Sequence, residues 1–239
     1  MRLDVLLLPC ELPARPRPET SAVVVDVIRA TTSIVTAFQN GCRSILPAES
    51  PEEAQRLRRT RADAVLAGER GGRRVEGFDL GNSPREFQRE AVGGRDVILA
   101  TSNGTRTLRA MSQDGRAVAI GAFLNRLAVA DWLAARRRDA LIVCSGYEGA
   151  FSLEDAVCAG GIAVRAAEAG FVLGDGARSC QVLWGRYGGD LRGLLQETGW
   201  GRRIVELGLG EDLAVCARLD VTEVVPMLEG GVIRTVGRV

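Results

Sequence analysis

Short aliphatic runs alternate along this chain with longer segments whose apolar residues recur at helical spacing. The runs 3–8, 22–27, 44–47, 64–67, 96–100, 117–121 and 140–144 are continuously apolar rather than alternating, as in strands covered by helices on both faces. Between them, 32–40, 51–60, 83–91, 105–111, 124–138 and 153–169 carry helical periodicity, and 177–187, 190–199 and 200–207 repeat it beyond Gly170. Segments 213–219 and 224–236 suit helix or strand equally. Strands alternating with helices predict an α/β fold, layered α/β/α around a mostly parallel sheet. Two organisations stay open: one domain over 1–239, or two α/β subdomains dividing near 120–140.

The N-terminal apolar run is too short for a signal peptide and contains Asp4, so it reads as a first strand. No stretch approaches the ~18 apolar residues of a membrane span. The six cysteines are scattered and never form C-x-x-C, which predicts reduced thiols in a cytoplasmic protein rather than disulfides or zinc. The formal charge of +1 gives no basic excess for nucleic acid or membrane surfaces, so a small molecule is the expected partner; a homodimer stays open, since the sequence does not fix the oligomeric state.

Composition narrows the chemistry further. The chain has no histidine, and every one of its 31 basic residues is arginine. That excludes Ser-His-Asp and Cys-His catalysis, histidine-ligated zinc, lysine Schiff bases and the P-loop lysine. What is left is carboxylates, hydroxyls, thiols, arginine, backbone amides, or a metal held by oxygen.

Ligands of open α/β sheets bind at the carboxyl ends of strands, and four such loops are polar. The first runs from Asp26 through Arg29 to Thr31, Thr32 and Ser33. A carboxylate closing a buried strand is costly unless it is paired or metal-bound. The threonines open a helix whose free amides favour an anion, and Arg29 adds a fork for phosphate. The second, 68–84, is a loop of roughly 15 residues with Glu69 and Arg70, long enough to be functional; its Asn82-Ser83-Pro84 also fits a plain helix start. The third is Thr101-Ser102-Asn103-Gly104-Thr105-Arg106, an anion nest at a helix start. The fourth, from Ser145, holds Glu148 and a capping-box-like Ser152-Leu-Glu-Asp155. Asp26, Glu69, Glu148 and Asp155 together are hard oxygen ligands suited to Mg²⁺, and Mg²⁺ beside arginines and helix N-termini is the apparatus of phosphoryl chemistry. Cys180 and Arg186 have the C-x₅-R spacing of cysteine phosphatases, but the bulky apolar residues between them argue against that site.

The strings VVVDVIRATTSIVTAFQNG (23–41), GERGG (68–72), EGFDLGNSP (76–84), TSNGTR (101–106) and GYEGAFSLEDAVCAG (146–160) resemble, in order, those of the 2-phosphosulfolactate phosphatase family. The resemblance implies Mg²⁺-dependent hydrolysis of (2R)-2-phospho-3-sulfolactate to 3-sulfolactate and phosphate, towards coenzyme M. The three anionic groups of that substrate would account for Arg29, Arg70 and Arg106. Members often have an arginine where Ala150 stands. The expected site is therefore Asp26, Arg29 and Glu148 for catalysis, Asp26, Glu69 and Asp155 for the metal, and Thr31, Thr32, Arg70 and 102–106 for the anionic groups. The sequence does not separate nucleophile from metal ligand at Asp26. A lyase or isomerase on an anionic acid, or a non-catalytic anion-binding protein, are the alternatives.

Overall fold

In a computed structural model the described residues are 1–12, 19–112 and 117–235, with the side chains of Arg106 and Ser112 outside that set. The strands are β1 (Arg2–Leu6), β2 (Ser21–Val25), β3 (Ser44–Ala48), β4 (Val65–Arg70), β5 (Arg73–Arg74), β6 (Asp96–Ala100), β7 (Val118–Gly121), β8 (Ala140–Cys144), β9 (Val172–Leu173), β10 (Pro226–Glu229) and β11 (Val232–Thr235). The helices are α1 (Ala30–Gln39), α2 (Pro51–Arg59), α3 (Arg89–Val92), α4 (Gly104–Ser112), α5 (Arg126–Arg136), α6 (Leu153–Glu168), α7 (Asp175–Tyr187), α8 (Leu191–Glu197), α9 (Gly199–Glu206) and α10 (Glu211–Cys216).

All the strands join one sheet in the order β5-β4-β6-β3-β11-β10-β7-β2-β8-β1-β9. Two parallel blocks, β4-β6-β3 and β7-β2-β8-β1-β9, are joined by the antiparallel hairpin β10–β11 from the far end of the chain. Three successive antiparallel pairings, β3 with β11, β11 with β10 and β10 with β7, make the blocks run in opposite senses along the ladder. Sheets twist by about 20–25° from strand to strand, so blocks separated by the hairpin do not share one plane.

The apolar runs explain the layers. In β2, Val23 and Val25 face a core built with α5, α6 and α7, while Ala22 and Val24 face a second core with α1 and α4. Val97 and Leu99 of β6 join that second core from the other block, so α1 and α4 pack in a core shared by both blocks. The opposite face of β6, Ile98 and Ala100, packs toward Ala54 of α2.

Three expectations are corrected, and one open choice is resolved. Strand β2 ends at Val25, because the chain turns at Asp26 into α1. The segment 83–91 is not one helix: a 3₁₀ turn (Pro84–Glu86) precedes the short α3, with Ser83 Oγ accepting the Arg85 amide. The start of the 68–84 loop is a hairpin, since Gly71 and Gly72 (φ +57° and +85°) form the two-residue turn of β4–β5. Of the two ambiguous C-terminal segments, the first holds α10 and the second the β10–β11 hairpin, turned by Gly230 and Gly231.

Candidate active site

The four loops meet in a small cleft lined by Asp26, Ile28, Arg29, Glu69, Gly71, Asn82, Thr101, Ser102, Asn103, Tyr147, Glu148 and Trp200. Asp26 leaves the end of β2 and is only 7% exposed. Its Oδ1 accepts the Ala30 amide (3.1 Å) at the start of α1. Its Oδ2 faces Gly104, where an added Cβ would stand 2.8 Å from it and 2.6 Å from Ala30 Cβ. Burial raises the Asp26 pKa to about 7; Glu69 and Glu154 add to the rise, while the Ala30 amide and Arg29 oppose it. A carboxylate near neutrality in a cleft is suited to acid–base or ligand work.

Glu69, at the end of β4, uses both oxygens to tie two loops together. Oε2 accepts the Gly72 amide (2.8 Å) and Oε1 the Ser102 amide (2.7 Å). Glu148 occupies the tip of a tight turn closed by reciprocal Tyr147–Ala150 backbone hydrogen bonds (2.9 and 2.8 Å), with φ of +49° at Glu148 and +78° at Gly149. Left-handed backbone at a glutamate is an outlier, and such outliers cluster at functional sites. Burial, together with Glu148, pushes the Tyr147 hydroxyl up, and its ring stacks on Trp200 at 4.4 Å.

Several expected binding residues are committed elsewhere. The hydroxyls of Thr31 and Thr32 are turned inward, donating to the carbonyls of Asp26 and Val27 (2.8 Å each). Thr105 likewise bonds back to the Thr101 carbonyl (2.9 Å). Arg70 points away, donating to the carbonyls of Glu69 and Glu49. Arg29 does line the cleft, but Nη1 pairs with Asp212 (2.7 Å) and Nη2 donates to the Gly72 carbonyl (2.7 Å). Asp155 is not an open metal ligand: Oδ1 accepts the Val27 amide (2.8 Å) and Oδ2 the Gly146 amide (3.2 Å), locking the β2 and β8 exits together. Burial and the charges of Asp26 and Glu154 raise its pKa well above the ordinary value. The Arg106 side chain lies outside the described residues. Ser102 and Asn103 line the cleft as expected, and Gly104 abuts Asp26.

The sequence reading missed Asn82, Tyr147, Trp200 and Asp212 as parts of this site. Asn82 is 4% exposed, and its Oδ1 has no partner although it belongs to the cleft wall. A buried acceptor without a donor costs ~1–3 kcal/mol, so this oxygen fits a cation or a donor group of a ligand. Asn82 could have been separated from Ser83 as the residue the helix start does not use. Trp200 and Asp212 come from helices whose sequence gave no hint of a site. Among the described residues no group of three or more His, Cys, Asp or Glu comes together as a metal site. The oxygens available in the cleft are those of Asp26, Asn82 and Glu148, all of the hard kind that Mg²⁺ prefers. Cys180 is buried inside α7 and held up to about 12 by that burial, so the C-x₅-R spacing carries no nucleophile.

The family model for 2-phosphosulpholactate phosphatase matches residues 6–231. This chain belongs to that family. It is 40% identical over 233 residues to a probable 2-phosphosulfolactate phosphatase of Deinococcus radiodurans, covering 97% of this chain and 95% of that protein. Probable 2-phosphosulfolactate phosphatases of Caldanaerobacter subterraneus subsp. tengcongensis (37% over 220 residues, 91% of each chain) and Clostridium acetobutylicum (35% over 234 residues, 97% of this chain and 99% of its own) are similar along their length. The match extends through α8–α10 and into the β10–β11 hairpin, well beyond residue 160, where the last of the resembling strings ends. No helix among the described residues is long and apolar enough to cross a membrane.

Proposed function

We propose that the chain is a Mg²⁺-dependent phosphatase acting on (2R)-2-phospho-3-sulfolactate, a small 2-hydroxy acid carrying phosphate, carboxylate and sulfonate. The observation that carries this reading is Asp26: a carboxylate held near neutrality by burial, in a cleft with an unpartnered amide oxygen. Family membership supports the phosphate ester and the named acid. Water attacks phosphorus, the ester P–O bond breaks, and the alkoxide leaving group takes up a proton to give the 2-hydroxy acid and phosphate. Bound Mg²⁺ would neutralise charge on the phosphate, with Asp26 and Asn82 Oδ1 as its protein ligands. Asn103 binds phosphate oxygens, Ser102 holds that turn in place through its amide and hydroxyl on Glu69, and Glu148, at the exposed tip of its turn, orients water. Asp26 serves in its ionised form, whether it holds the cation or takes the proton from water.

Phosphate release from a panel of 2-phospho acids, with and without chelator, tests the reading. Turnover of 2-phosphosulfolactate above its unsulfonated analogues, abolished by EDTA and restored by Mg²⁺, is expected. Absence of release from every acid overturns the phosphatase, a preference for an unsulfonated acid overturns the substrate, and full activity without metal overturns the cation.

A further inference from the structure

Arg29 and Asp212 are 183 residues apart in sequence, yet their side chains form an ion pair of 2.7 Å with 2% and 1% exposure. Asp212 lies in the first turn of α10, and its second oxygen accepts the Ser83 hydroxyl at 2.6 Å. Arg29 then hands the connection on, since Nη2 donates to the carbonyl of Gly72 while the amide of Gly72 is held by Glu69. One chain of contacts thus runs from α10 through the cleft wall to the β4–β5 turn and the start of α4. An ion pair this buried costs desolvation that pairing only partly returns, so stability alone is a weak reason for it. Arginine presents five donors in a rigid plane; pinning two nitrogens on Asp212 and Gly72 fixes how the remaining N–H groups stand in the cleft.

We infer that Asp212 is a positioning residue of the active site, which orients Arg29 toward the anionic group of the substrate. Helix α10 is then part of the site through its acid, although Asp212 itself does not line the cleft. The inference rests on the proposed phosphatase reading for the identity of the anion, not for the geometry of the pair.

The test is a double-mutant cycle on Arg29→Ala and Asp212→Asn, read by kcat/KM on 2-phosphosulfolactate and by calorimetric affinity for inorganic phosphate, with Tm measured alongside. Asp212→Asn should weaken both readouts ten-fold or more in the folded protein, Asp212→Glu should recover part of the loss, and Asp212→Asn should add nothing in the Arg29→Ala background. If Asp212→Asn fails to fold, Ser83→Ala takes its place; it removes the hydroxyl that steadies the carboxylate and also the cap of the Pro84–Glu86 turn, so the part of its several-fold loss that vanishes in the Arg29→Ala background is the part expected from Asp212. Additive losses, or a folded variant with unchanged phosphate affinity and turnover, overturn the inference. Wild-type protein that binds phosphate but hydrolyses no ester sinks the phosphatase reading alone, and the phosphate arm still decides Asp212. Wild-type protein that neither binds phosphate nor turns over overturns both.

Discussion

Asp26 carries the strongest conflict between folding and function in the molecule. Burial favours its protonated form, so its carboxyl titrates near 7 rather than at the usual 3.8. The folded state binds the extra proton between these values, and stability contributed by that proton is complete below pH ~4 and lost as pH rises through 7. Asp26→Asn removes the charge without changing shape. Its Tm, measured in EDTA, should fall less than the wild type's between pH 5 and 8, while kcat/KM drops about 10³-fold or more, about 4 kcal/mol of barrier. A mutant that is less stable at pH 8 and keeps its turnover would make Asp26 structural. Asp155 is the contrasting case, a buried acid whose oxygens are both spent on backbone amides of the adjoining loops.

Local rules explain most elements, and the site exists where two of them crowd each other. Ser50, Ser152, Asp190 and Thr198 cap α2, α6, α8 and α9 with side-chain acceptors. Helix α4 has the Thr101 hydroxyl accepting the Thr105 amide (3.1 Å) at its start, and it opens on Gly104, against Ala30 of α1 and Asp26. Only a residue without Cβ allows these two helix starts to approach so closely. Gly104→Ala should therefore displace Asp26, lowering kcat/KM at least ten-fold for a stability loss of about 1–3 kcal/mol, the scale of overpacking. Denaturant midpoints and initial rates on the same sample separate the two effects. Unchanged rates would mean that Asp26 does not need its present position.

At the scale of the whole molecule, a hairpin from the end of the chain is the middle of the sheet. Leu228 of β10 and Ile233 of β11 are buried in the core shared by both parallel blocks. Leu228→Ala should cost about 2–5 kcal/mol, as for a central core position rather than a terminal one. It should also lower activity at temperatures where the wild type is intact, because the hairpin sets how the β2 and β6 ends face each other. An unfolding free energy from denaturant titration within about 0.5 kcal/mol of wild type, the scale of a surface substitution, would mean the hairpin is peripheral.

The sequence by itself determined the seven strands of its apolar runs, the layered α/β class and the four loops that meet in the cleft. Each of these follows from interactions over a few residues: periodicity, capping, and polar residues at strand exits. It also supplied Asp26, Glu69, Ser102, Asn103 and Glu148, whose backbone positions put them in the cleft. Tertiary structure decided what the remaining side chains do there. Thr31 and Thr32 read as a helix start offering its amides to phosphate and Thr105 as part of an anion nest, but the Thr31 amide and all three hydroxyls found carbonyls within a turn of their own chain. Asp155 reads as a metal ligand, but two amides brought from β2 and β8 exits occupy it. Asp212 carries no local signal, since its partner Arg29 becomes a neighbour only when α10 packs under the cleft. Backbone pattern records which loops share an end of the sheet; hydrogen-bond partners between distant segments are fixed only when burial removes water as the alternative.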